Sequence, residues 1–129
     1  MAEKEVIRTD NAPGPFQGAP YNQAIRVGDL VFVAGQLGIS LQTGELAGPS
    51  VEEQTEQVMK NLSAILDAAG SGLDKLVKTT VFLLDLTDFS GMNEVYARHV
   101  GDRPPARSTI GISQLPSGAR VEIEAIAHV

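Results

Sequence analysis

The segment Val121-Glu122-Ile123-Glu124-Ala125-Ile126-Ala127 constrains the fold of this chain more than any other. Its period-two pattern is that of a strand that buries Val121, Ile123, Ala125 and Ala127 on one face and turns Glu122 and Glu124 to the other. Upstream, Pro104-Pro105-Ala106-Arg107-Ser108-Thr109 sets an arginine at the start of a shorter strand, and Leu115-Pro116 lies in the turn between the two. Two carboxylates and a nearby arginine are costly to bury without a partner or a task.

The rest of the chain supplies a sheet and two helices. Val6-Ile7 reads as an edge strand, and the Pro- and Gly-rich stretch 11–22 as an ordered loop. Ala24 to Val27 and Leu30 to Ala34 form a hairpin around Gly28-Asp29, with a bulge or close backbone approach expected at Gly35. Ser50 and Glu53 make a capping box for a helix over 51–69, whose apolar stripe is Val58, Leu62, Ile65, Leu66 and Ala69. Gln54, Gln57 and Asn61 fall on its other faces. Leu76 to Leu86 is β-rich, with Val77, Thr79, Val81 and Leu83 alternating with Lys78, Thr80, Phe82 and Leu84. Its second half is apolar on both faces, as expected of a central strand or one covered by a partner subunit. Asp88 is placed to cap a second helix carrying Phe89, Met92 or Asn93, Tyr96 and Val100. The order β-β-β-α-β-α-β-β describes one α+β domain over 1–129, with both helices on one sheet face. No third helix exists to cover the opposite face, so oligomerisation through it is the economical solution.

Composition narrows the function classes. The 129 residues contain no cysteine, which removes disulfides and thiolate chemistry and fits a reducing compartment such as the cytoplasm. Two histidines make a histidine metal site within one chain an unpromising expectation. The formal charge of −6 disfavours nucleic-acid phosphates, and the shortage of aromatic residues disfavours base stacking. No run approaches the length of a membrane span.

Arg107, held behind a rigid Pro-Pro-Ala turn, suits a bidentate grip on a carboxylate, and that carboxylate could equally be a ligand's or an internal glutamate's. Glu122 could orient or activate a water, but alternation does not separate it from Glu124. Tyr21 lies on the rigid loop, suited either to wall a pocket and donate one hydrogen bond or to anchor the loop. Gly35 could offer a backbone N–H, and Asn93 is a mid-helix residue that propensity does not favour. Dinucleotide, P-loop and nucleophile-elbow motifs are missing, so an enzyme built on this chain relies on weak acid–base assistance and on binding.

These fragments together resemble the RidA/YjgF family of reactive-intermediate deaminases. The resemblance runs through Ala19-Pro20-Tyr21-Asn22-Gln23-Ala24, Ala34-Gly35-Gln36-Leu37-Gly38, Val77 to Leu86, Asp88-Phe89, Met92-Asn93 and Tyr96. It continues through Pro105-Ala106-Arg107-Ser108, Leu115-Pro116 and Glu122 to Ala127. It implies a chorismate-mutase-like fold assembled as a homotrimer, with sheets forming a central barrel and clefts between subunits. It also implies hydrolysis of 2-imino acids, such as 2-iminobutanoate and 2-iminopropanoate, to 2-oxo acids and ammonia without a cofactor. By motif, Arg107 matches the substrate-carboxylate clamp, Glu122 the water-placing glutamate and Tyr21 the pocket tyrosine. Gly35 and Asn93 match cleft-lining positions, and Thr109 stands near the site. Members usually carry Ser or Thr where this chain has Ala34. That departure leaves a second reading open, a regulatory module that binds a small carboxylate without turnover. RNA cleavage, reported within the wider family, is opposed by the acidic charge.

Overall fold

The computed structural model describes residues 3–129. Its strands are β1 (Lys4–Ile7), β2 (Ala24–Val27), β3 (Leu30–Leu37), β4 (Leu76–Leu83), β5 (Ala106–Gly111) and β6 (Val121–His128), and its helices α1 (Val51–Ala68) and α2 (Phe89–Val100). The order of elements is the one expected from the sequence, and the fold is α+β. The strands form one sheet in the order β1-β2-β3-β6-β4-β5, so the C-terminal strand sits near the centre. All neighbours are antiparallel except β4 and β5, which are parallel and joined through α2.

The helices and one sheet face enclose the core. Val58, Met59, Leu62, Ile65 and Leu66 of α1 and Met92 of α2 are fully buried against Val31, Val81, Leu83, Val121, Ile123 and Ala127. The capping box at the head of α1 is complete. Ser50 Oγ accepts from Glu53 N–H at 3.1 Å, and the Glu53 carboxylate accepts from Ser50 N–H. The other face of the sheet is uncovered and leaves Phe32 and Ile110 more than 40% exposed. An uncovered apolar face is the feature from which the sequence argued for oligomerisation.

Several local features appear only in three dimensions. Gln54 and Asn61, which lie off the apolar stripe of α1, are buried. Asn61 donates to the carbonyls of Leu37 and Ile39 at 3.1 and 3.0 Å, satisfying acceptors where β3 runs out of the ladder. Gln54 donates to Gly48 O and accepts from Arg120 N–H. In β4 a register shift between Leu76 and Lys78 turns Val77 outward, so the alternation begins properly at Thr79. Asp88 occupies the N-cap of α2 without a side-chain capping bond, because its carboxylate accepts instead from Arg120 Nε at 2.8 Å.

Candidate active site

Strand alternation decides where each candidate residue points. In β6, Val121, Ile123, Ala125 and Ala127 face the helices, while Glu122 and Glu124 face the open side. Arg107 is in register with Thr79, which is fully buried on the helix side, so Arg107 lies on that side of the edge strand β5. Glu122 is in register with Phe82 on the open side. Within one chain the arginine and the glutamate therefore occupy opposite faces of the sheet.

Each stands in its own cleft of about 390 Å³. The Arg107 cleft includes Asn93 and Tyr96 of α2 and the Pro104-Pro105 turn. The guanidinium carbon lies 4.9 Å from the Tyr96 ring centroid and 5.5 Å from that of Phe89, an arrangement that holds a cation by its attraction to the ring faces. Tyr96 is itself anchored, its hydroxyl 2.6 Å from Thr79 Oγ1, and burial pushes its phenol above the usual tyrosine range. Among the described residues Arg107 is in no ion pair. No glutamate among the described residues pairs with it within the chain. Two further polar atoms on this side are buried without partners, Asn93 Oδ1 and Thr109 Oγ1.

The Glu122 cleft is lined by Tyr21, Ala34, Gly35, Phe82 and Pro116 among others. The pair shifts register between Val33 and Gln36, so the bulge expected at Gly35 is present. The bulge also bears on Glu122. A Cβ on Gly35 would stand 2.8 Å from Glu122 Cδ, so the missing side chain makes room for the carboxyl group. Burial, and secondarily the neighbouring Glu124 charge, push the Glu122 carboxyl above the usual carboxylate range. A carboxyl raised in this way in a cleft is suited to exchange a proton with a bound molecule. The Tyr21 hydroxyl accepts from Phe16 N–H, which ties down the loop and keeps the O–H free to donate. Tyr21 both ties down its loop and lines the cleft.

The structure thus gathers Tyr21, Gly35 and Glu122 in one group and Asn93 and Arg107 in another, with Thr109 on the same strand face as Arg107. The aromatic bed of Arg107 was not assigned from the sequence. Tyr96 and Phe89 were read there only as one side of a helix, and nothing in the spacing links them to an edge strand.

The family described as "Endoribonuclease L-PSP" matches residues 9–129. The chain belongs to the RidA/YjgF family. A RutC family protein of Pyrococcus horikoshii is 49% identical over 97% of this chain and 98% of its own length. The human 2-iminobutanoate/2-iminopropanoate deaminase is 40% identical over 96% of this chain and 89% of its own length. Among solved structures, one described as a putative endoribonuclease L-PSP from Entamoeba histolytica superposes with a TM-score of 0.93 at 42% identity, covering 98% of this chain and all of that one. Escherichia coli TdcF with bound serine superposes with a TM-score of 0.89 at 38% identity, covering 97% and 98%. RidA/YjgF membership, with relatives named as deaminases, supports deaminase activity for this chain. No helix among its described residues is long and apolar enough to cross a membrane.

Proposed function

We propose that this protein hydrolyses reactive 2-imino acids, 2-iminobutanoate and 2-iminopropanoate among them, to 2-oxo acids and ammonia in clefts between the copies of a homotrimer. The observation that carries the reading is the division of the site. One chain presents an arginine free of carboxylates on one sheet face and a partly buried carboxyl, with its pKa pushed up by burial, on the other. A second copy seated on the open face supplies the half that each lacks.

Arg107 holds the substrate carboxylate through its paired N–H donors. Glu122 accepts a proton from water as the water oxygen bonds to the imine carbon and the C=N pair moves onto nitrogen. The proton returns to that nitrogen, giving a carbinolamine. Its hydroxyl proton then follows the same path as the C–N bond breaks and ammonia leaves. One water is consumed and no electrons are transferred to another partner, so the protein supplies orientation and one acid–base group. Tyr21 donates to the bound acid, and Gly35, Asn93 and Thr109 shape the cleft.

The test adds the protein to freshly generated 2-iminobutanoate and follows 2-oxobutanoate. Release accelerates with the wild type and returns to the spontaneous rate with Arg107→Ala. Unchanged release with the wild type would sink the reading. Calorimetric binding of 2-oxobutanoate without turnover would establish the competing reading, a carboxylate-binding module, which the absence of a hydroxyl at Ala34 favours. Nucleic acid is not part of this proposal, because a chain of charge −6 repels phosphates.

A further inference from the structure

We infer that Arg120 is a positioning residue for the substrate clamp: its hold on Asp88 fixes the start of α2, and with it the Phe89 ring that supports Arg107. The inference rests on the deaminase reading for the identity of the bound molecule, a small 2-imino or 2-oxo acid. Of the two rings beside the guanidinium, Tyr96 is secured independently, being 4% exposed and bonded to Thr79. Phe89 is 43% exposed and is the first residue of α2, so the helix start decides where its ring lies. That start has no side-chain cap. Asp88 sits at φ −80° and ψ 1°, away from the extended conformation in which a cap residue reaches the first N–H groups. Its carboxylate accepts from Arg120 Nε at 2.8 Å instead.

Arg120 is itself held in place. Its N–H donates to Gln54 Oε1 of α1 at 2.8 Å, and its carbonyl accepts from Leu84 N–H, just past β4, at 3.0 Å. Asp85 and Glu52 also feel its charge. Glu52 packs closely on the first turn of α2, where a Cβ on Gly91 would stand 2.6 Å from its carboxylate oxygen. Without the guanidinium, the carboxylates of Asp85, Asp88 and Glu52 would face one another, and Asp88 would be free to turn into a capping conformation. That cap would offset the lost ion pair, so the helix stays folded. The rotation of ψ that forms it would swing the helix start and displace Phe89. Loss of Arg120 therefore reaches the grip on the substrate carboxylate more than it reaches stability.

The experiment compares the wild type with Arg120→Met, Arg120→Lys and Asp88→Ser. Serine can cap the helix but is too short to reach Arg120. Binding of 2-oxobutanoate is measured by calorimetry, hydrolysis of 2-iminobutanoate by kinetics, and stability by the thermal midpoint. Arg120→Met raises Kd and KM about tenfold, while kcat stays within about twofold and the midpoint within a few degrees. Asp88→Ser does the same, the double variant is no worse than either single one, and Arg120→Lys recovers most of the affinity. A Kd and KM unchanged in Arg120→Met, or in Asp88→Ser should the first variant not fold, overturn the inference and leave the deaminase reading standing. So does a fall in kcat at constant KM, which would place the influence of Arg120 on Glu122, two residues along β6. Wild-type binding without turnover overturns the deaminase reading, and the Kd comparison alone then decides the inference. Neither binding nor turnover by the wild type overturns both.

Discussion

At the scale of single residues, the site depends on a side chain that is absent. Gly35 is conspicuous in the sequence as an interruption of an apolar run, and a bulge was the natural expectation. What the run could not reveal is that the vacated space belongs to Glu122, because the two residues are 87 positions apart and meet only through the pairing of β3 with β6. Gly35→Ala is expected to displace the Glu122 carboxyl, the flexible end of a side chain, rather than the backbone. Imine hydrolysis should fall at least tenfold while the thermal midpoint moves by only a few degrees. A large loss of stability with activity preserved would show that Gly35 serves the strand and not the glutamate. The raised Glu122 carboxyl carries a sign. Below its pKa the group is protonated and accepts no proton from water, so activity should fall on acidification through a point above the ordinary carboxylate range. Glu122→Gln should be slow at every pH and lack that acid limb in a pH–rate profile. An acid limb unchanged in the variant would assign it to another group.

At the scale of elements, the sequence was legible wherever pattern is local. The capping box of α1 and the alternation of β6 are found as expected, since both depend on neighbours within four residues. Ser50→Ala should cost about 1 kcal/mol of stability, measured by denaturant unfolding, because Glu53 N–H loses its acceptor. No loss would mean that the tertiary contacts of the helix carry its first turn. Legibility ended where polar side chains serve distant backbone. Gln54 and Asn61 look like exposed helix residues by composition. They are buried because the loop after β3 has carbonyls, and β6 has an entering N–H, that no ladder satisfies. Asp88 was read as a helix cap by position, but the guanidinium of Arg120 offers its carboxylate a stronger, charge-assisted bond.

At the scale of the whole molecule, the two half-sites require a test that uses more than one chain. The proposed trimer should sediment at three times the 13.6 kDa chain mass. Arg107→Ala and Glu122→Gln trimers, each inactive alone, should regain activity when unfolded together and refolded as a mixture. Random assembly then leaves about a quarter of the clefts with an intact arginine from one copy and an intact glutamate from the next. Activity that stays absent in verified mixed trimers would place both residues in the same chain's site and overturn the shared-cleft arrangement. By itself the pattern of the sequence determined the order of elements, the helix start and the buried face of the last strand. These depend on periodicity and local neighbours, whereas Glu122 was singled out from Glu124, and Arg107 as a clamp, only through the family resemblance. Only the tertiary structure decided that Arg107 and Glu122 lie on opposite sides of one sheet, that aromatic rings rather than a carboxylate hold the guanidinium, and that Gly35 makes room for Glu122. Each of those follows from strand register, and register joins residues far apart in the chain that no local pattern relates.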